Sequence, residues 1–457
     1  MKSRVLLYFY SLYFLYKDFL TERFWWKTFG NADYLFPYSY FKSINSIHSL
    51  IDWNFPPSNY IFPDLILSGI SYLILSFLQI LRPEFHFLLT IFLFQITIAI
   101  LIAKLSNLGN NNKKVEQFQK TFCYSLTALT ILNLSVLILE FNLDQVLFTN
   151  HSGVIILILL CLVAIRSHNL SLLSLTIFLG SLSDSMFCSL IIIYLWISNA
   201  FSFYNNSNFN ISKKISSTKN KPIPFLNHYK FRIGFTLIAL LGYSVSFLLN
   251  HFGILTSSHI YYTQYISIDR FNLKHISSTF SLLLSILENY WIYFLVLIFF
   301  STRKLKNNLA PNKSLSQIGF INLFLTTIYI SFSRYFSLRY LPLFQFILIW
   351  KIAVSKWRLF FFMLSLGLSI FIFWKQSYSQ DISSIQNLPF LESLEEIHLA
   401  YPDSTLCMEY WKARPVAVYS RIIQSDFIQA CDSNGLQIYW IDKKKPRNKG
   451  SLITIRF

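Results

Sequence analysis

Chemistry in this chain falls to acids set between long apolar runs. Asp33, Asp52 and Asp64 lie in one aromatic, proline-rich stretch, which carries N-A-D-Y early and W-N-F-P-P-S-N-Y-I-F-P-D late. Asp144 and His151 flank a second polar interval, and Asp184 sits in F-L-G-S-L-S-D-S-M-F. A carboxylate so placed serves as a general base or orients a ligand's hydroxyls. An ionisable group inside an apolar region costs several kcal/mol, of order 3 or more, unless it faces a polar cavity. For Asp184 the competing reading is a tight Ser-Asp-Ser turn. A lone His such as His151 is more often a satisfied structural residue than a ligand. Arg334 and Arg339, in S-R-Y-F-S-L-R-Y, suit a phosphate or a lipid head group, and Asp269-Arg270 also reads as a surface pair. The aromatic stretch itself is open to a second reading, an interfacial belt of Trp and Tyr.

These residues need elements to hold them, and composition says which. Of 457 residues, 54% are hydrophobic and only 13% are charged, about half the charged share of a soluble domain. Mean hydropathy is +0.46. Repeated apolar runs of roughly 15–22 residues predict a polytopic membrane protein. The net charge of +18 does not call for nucleic acid, because Lys and Arg cluster in short loops between apolar runs, where they set orientation. The chain has no glycine-rich phosphate loop, zinc-ligand spacing or G-x-S-x-G. An ATP-driven pump and a metalloprotease are therefore unsupported. No cofactor is called for, and a divalent metal has no ligand pattern in its favour.

Lys2 and Arg4 place the N-terminus inside, ahead of a short first helix with no small-residue cleavage site. Spans are expected at Phe87–Ala103 and Phe122–Leu139. The loop between them holds Lys104, Lys113, Lys114 and Lys120, so it should be cytoplasmic. If the first helix and Asp64–Leu81 both crossed, these lysines would face outward. The conflict disappears if Asp64–Leu81 lies along the outer leaflet or dips into it. The other resolution is that the N-terminal run does not cross. Further spans follow at Val154–Ile165, Leu172–Leu182, Phe187–Phe201, Gly234–Leu249, Phe280–Phe300, Ile318–Ile330, Leu341–Ile352 and Leu359–Trp374. The expected fold is an all-α membrane domain over residues 1–374 with about eleven transmembrane helices. It includes an outer loop, 21–86, with a juxtamembrane helix near 64–81. Residues 375–457 read as a small α+β extracytoplasmic domain, with alternating apolar runs at Val416–Tyr419, Leu436–Trp440 and Leu452–Ile455. Cys407 and Cys431 lie in it, either paired in an oxidising compartment or as two unrelated thiols. Cys123, Cys161 and Cys188 read as packing residues.

This order resembles the GT-C class of integral-membrane glycosyltransferases, which includes protein O-mannosyltransferases and aminoarabinose transferases. The residues that carry the resemblance are N-A-D-Y at Asn31–Tyr34, W-x-x-P-P-x-x-Y-x-F-P-D at Trp53–Asp64, N-H-S-G at Asn150–Gly153 and S-D-S-M-F at Ser183–Phe187. The resemblance covers roughly residues 1–200 as motif order and the rest as architecture. It implies an inverting transferase that takes a sugar from a polyprenyl-phosphate donor to an extracytoplasmic glycan, lipid or protein acceptor. Asp33 matches the catalytic base. Tyr34 stands where many members have a second acid, which speaks against a metal-binding version of the site. By the same implication Asp64, Asp144, His151 and Asp184 bind substrate, Trp53 and Tyr60 stack on it, and Arg270, Arg334 and Arg339 support the leaving phosphate. The location implied is the cell (inner) membrane, multi-pass, in contact with membrane lipid.

Two other classes fit the composition. A transporter or flippase for a lipid-linked sugar would favour intramembrane charges and repeated halves, and neither is evident. A non-catalytic membrane assembly protein would leave the acids scattered.

Overall fold

The computed structural model describes residues 2–19, 32–44, 61–108, 114–138, 153–207, 229–252, 389–420, 422–423, 427–431 and 452–455, with single positions between 318 and 367. The expected spans beyond residue 252 and the strand at Leu436–Trp440 lie wholly or mostly outside these. What is described is mostly helical, with one small sheet. The helices are α1 (Lys2–Phe19), α2 (Ala32–Lys42), α3 (Ile66–Phe77), α4 (Pro83–Asn107), α5 (Lys114–Ile138), α6 (Gly153–Arg166), α7 (Leu170–Ser183), α8 (Ser185–Ser207) and α9 (Tyr229–His251). Among the described residues, two stretches, Pro83–Asn107 and Tyr229–Leu249, are long and apolar enough to cross a membrane. Ile61–Phe77, Gly153–Arg166, Leu170–Ser183 and Ser185–Trp196 are apolar but shorter.

The bundle is built around α6. Its sequence, G-V-I-I-L-I-L-L-C-L-V-A-I-R, is apolar on every side, and it is buried along almost its whole length. A helix without a polar face has no surface it can leave in water, so neighbours enclose it. Helix directions follow from side-chain pairs. Ser106 donates to Thr121 at 3.0 Å and Gln95 to Asn133 at 2.6 Å, so α4 and α5 form an antiparallel hairpin. Arg4 lies over the Tyr124 ring at 5.5 Å and Asn133 donates to Ser11 at 3.1 Å, so α1 runs parallel to α5. Arg166 donates to the Leu105 carbonyl at 2.8 Å, which puts the ends of α6 and α4 together. Trp196 donates to Thr236, and the Cys188 thiol to the Ala239 carbonyl, so α9 returns antiparallel to α8. One end of the bundle thereby collects Arg4, Lys104, Lys114, Arg166 and Lys230, and the opposite end holds Asp64, Glu84 and Asp184. Inside it, Tyr8 donates to Gln95 at 2.7 Å, and Gln95, Asn133 and Ser11 complete a buried polar chain. In apolar surroundings such groups need each other, which fixes the register of α1, α4 and α5.

α3 does not run the length of the bundle. A π-helical turn, Ile61–Leu65, leads into it, with Phe62 extended and the Phe62–Pro63 bond cis. Asp64, at its start, accepts from the first residue of α6. Its far end passes through Gln79, at φ 57°, to Pro83, the first residue of α4. Because α4 and α6 run the same way, both ends of α3 sit at one end of the bundle. Its amphipathicity is turned inside out. Ser68 and Ser71 are buried, while Ile66, Ile70, Leu73, Ile74 and Phe77 are exposed at helical spacing.

The C-terminal unit comprises α10 (Pro389–Ala400), β1 (Thr405–Glu409), α11 (Tyr410–Tyr419), β2 (Ile428–Cys431) and β3 (Leu452–Thr454). The strands form a parallel sheet in the order β2-β1-β3, with Leu406 opposite Ile428 and Cys407 opposite Thr454. The expected strand at Val416–Tyr419 is a correction. V-A-V-Y forms the last turn of α11, because the helix joining two parallel strands needs an apolar face, and Val416, Ala417 and Val418 supply it. Leu452–Ile455 does contain a strand. Cys407 and Cys431 form a buried disulfide with Cα atoms 5.6 Å apart. Cys123, Cys161 and Cys188 are buried free thiols.

Candidate functional site

Two acids that are 120 positions apart in sequence meet at the acidic end of the bundle. α7 ends at Ser183 and α8 begins at Ser185, and Asp184 between them is extended, at φ −142° and ψ 118°. Its Oδ1 accepts from the Met186 backbone N–H at 2.7 Å, so Asp184 caps α8. The tight-turn reading is therefore correct as far as it goes. Asp184 is also 3% exposed and close enough to Asp64 for its charge to act on that carboxyl.

The turn that carries Asp64 is stitched to both neighbours. The Phe62 N–H donates to the Ser183 hydroxyl at 2.9 Å, and that hydroxyl donates to the Leu179 carbonyl at 2.8 Å. Asp64 Oδ1 accepts from the Gly153 N–H at 3.3 Å. A helix N-terminus presents unpaired N–H groups and partial positive charge, so a carboxylate is favoured there. Position 153 has to be glycine. A methyl on its Cα would strike Asp64 Oδ2 and lie 2.7 Å from Pro63 Cδ.

Asp64 as a residue is half-buried, but its carboxyl is surrounded closely by protein. Burial, and then the charge of Asp184, push that carboxyl up to about 8, and the Gly153 N–H pulls the other way. A poorly solvated carboxyl beside a second negative charge gives up its proton less readily than a free one. Near neutral pH Asp64 therefore holds a proton that a ligand oxygen can accept, and it becomes a base once that proton leaves.

A second cluster lies beside the first, where the C-terminal unit meets the bundle. α11 packs on α2 through Leu35, Tyr38 and Val418, with Tyr72, Leu81 and Tyr419 around them. Tyr38 meets Tyr72 and His86 edge to face, with ring centroids 6.0 Å and 5.7 Å apart. His86 is buried, with Nε2 2.9 Å from the Ser68 carbonyl. The Tyr419 hydroxyl donates to Glu84 Oε1 at 3.3 Å. Burial, followed by the nearby Tyr72 and Glu84, pushes the Tyr38 phenol up to about 12. Burial and Glu84 raise Tyr419 as well.

Of the residues singled out from sequence, the structure brings Asp64 and Asp184 together. Asp33 falls in the first turn of α2, and its side chain lies outside the described residues. Trp53, Tyr60, Asp144, His151, Arg270, Arg334 and Arg339 also lie outside them. Among the described residues, no group of three His, Cys, Asp or Glu is placed to hold a metal ion. Sequence reasoning did not assign roles to Gly153, Ser183, Glu84 or Tyr419. A glycine opening a wholly apolar helix just after a polar interval was the available signal for the first. Nothing local marks Glu84 and Tyr419 as partners. Compared with known proteins, the chain matches no family model, no curated protein and no solved structure.

Proposed function

We propose that this protein is an integral-membrane glycosyltransferase of the GT-C kind, moving a sugar from a polyprenyl-phosphate donor to an acceptor outside the cytoplasm. The observation that carries the reading is the meeting of Asp64 and Asp184 at the end of the bundle crossed by α3. A sugar presents hydroxyls, and adjacent carboxyls in poorly solvated surroundings orient hydroxyls well. The exposed apolar stripe of α3 gives the same end a surface suited to lipid, where a polyprenyl tail resides. Two helices apolar enough to cross a membrane, and the sorting of Lys and Arg to the opposite end, favour about eleven spans with the N-terminus cytoplasmic. The disulfide favours an extracytoplasmic C-terminal unit.

In this reading Asp33 is the base. It takes the proton of the acceptor hydroxyl as that oxygen attacks the anomeric carbon, and the bond from that carbon to the phosphate oxygen breaks with inversion. Asp64 and Asp184 orient the sugar, and Arg270, Arg334 and Arg339 stabilise the leaving phosphate. The test is transfer of radiolabel from a polyprenyl-phosphate sugar in proteoliposomes. Asp33→Asn should reduce the rate by about 10²–10⁴-fold. Full transfer by that variant would remove the assigned base. Movement of intact donor across the bilayer without cleavage would make the protein a flippase.

A further inference from the structure

We infer that the C-terminal unit is a latch that holds α2, whose first turn contains Asp33, through the contact of Tyr419 with Glu84. The effect on transfer rests on the function proposed above; the latch itself does not.

α2 cannot stand alone. It has 11 residues, with Pro37 inside it. A helix this short is marginal in water, and a proline in its interior removes a hydrogen bond and strains the preceding turn. The missing donor is the one that would have bonded to the Asp33 carbonyl. α2 therefore takes its order from its neighbours, and α11 is a principal one, through Leu35, Tyr38 and Val418.

α11 is itself firmly held. The loop closed by Cys407 and Cys431 contains the whole of it. Ser420, just past its end, donates to Glu395 of α10 at 2.6 Å. Val416 and Ala413 are buried within the unit. Tyr419 then joins this rigid piece to the first turn of α4, through Glu84 Oε1 at 3.3 Å. α2 is thus caught between a helix anchored in the bundle and a helix anchored in the C-terminal unit. This makes Tyr419 a positioning residue: it acts on the reaction through α2.

The experiment uses the full chain in lipid nanodiscs and follows backbone hydrogen exchange of residues 32–42. Tyr419→Phe removes one hydroxyl and keeps the ring. Exchange across α2 should rise about five- to tenfold, in line with one net hydrogen bond, while α6 and α7 stay unchanged. Glu84→Gln keeps an acceptor oxygen and should leave α2 as in the wild type, whereas Glu84→Leu should reproduce Tyr419→Phe. Unchanged exchange in both Tyr419→Phe and Glu84→Leu would overturn the latch. The same variants are then assayed with the radiolabelled polyprenyl-phosphate sugar. Tyr419→Phe should lower kcat about fivefold or more with KM for the donor unchanged, and Glu84→Gln, made alone, should keep the wild-type kcat. A loosened α2 with full kcat would overturn the positioning role. A wild type that transfers nothing would refute the glycosyltransferase reading and leave the exchange result to decide the latch.

Discussion

Replacing Asp64 with Asn tests whether the two meeting acids share one environment. A free Asp titrates near 4, whereas burial and the Asp184 charge push Asp64 up to about 8. Between these limits the unfolded chain has the group ionised and the folded chain keeps it protonated. The folded state then binds more protons, so stability falls as pH rises through the window. One group can contribute at most about 1.4 kcal/mol per pH unit, or about 4 kcal/mol from pH 5 to pH 8. Asp64 keeps part of its surface accessible, and solvent screening there reduces the expected net to about 2–3 kcal/mol. Unfolding midpoints of the wild type and Asp64→Asn, measured in one detergent at pH 5, 6, 7 and 8, isolate this contribution. The wild type should lose stability relative to the variant at each step. Parallel curves would refute the coupling of burial and charge at this site. Asp184→Asn removes the neighbouring charge and should move the wild-type drop to lower pH; an unmoved drop would mean that the two carboxyls do not interact.

Three further outcomes follow from the same geometry. Gly153→Ala drives a methyl against Asp64 Oδ2 and Pro63 and should cost about 1–3 kcal/mol of stability; in an Asp64→Ala background the part due to Asp64 should vanish while the contact with Pro63 remains, which a double-mutant cycle reads directly. Asn133→Leu breaks the polar chain from Tyr8 through Gln95 to Ser11 and should cost about 1–2 kcal/mol in unfolding experiments. Replacing both Cys407 and Cys431 with Ser opens a loop whose ends are 24 residues apart. It should weaken the C-terminal unit by about 3 kcal/mol, seen as faster proteolysis between 389 and 455 with α6 and α7 unaffected.

The helices were legible where apolar runs exceed what a strand can use, as at Phe87–Ala103 inside α4. Their ends were less so. α5 begins at Lys114, eight positions before the expected Phe122, because K-V-E-Q-F-Q-K is a good helix sequence that hydropathy alone passes over. The C-terminal sheet was harder. T-L-C-M-E and I-Q-A-C are short strands in a parallel sheet, and the unbroken burial of Thr405, Leu406, Cys407 and Met408 and of the neighbours Ile428 and Gln429 erases the alternation that marks a half-exposed strand. The four lysines from Lys104 to Lys120 bear on how Asp64–Leu81 lies, since charge in a loop constrains every span before it. Asp184 was legible as a costly charge in an apolar region, and Asp64 as an acid of the aromatic, proline-rich stretch. Their meeting was not, because it depends on α6 beginning just beneath the turn at Ile61–Leu65, and no local pattern encodes that.

The distances in sequence between touching residues set a timetable for biosynthesis. Asp64 emerges from the ribosome 89 residues before Gly153. At about 5–20 residues per second, that is a wait of roughly 5–20 s. Until then Asp64 is an ordinary ionised aspartate, and its affinity for a proton rises only once α6 and α7 have arrived. Glu84 waits for Tyr419, 335 residues downstream, or roughly 20–70 s. The acid pair therefore matures midway through synthesis, and α2 is clamped only when the chain is nearly complete. A nascent chain halted before Tyr410 would own its buried polar chain and both carboxyls, yet lack the helix that closes over α2.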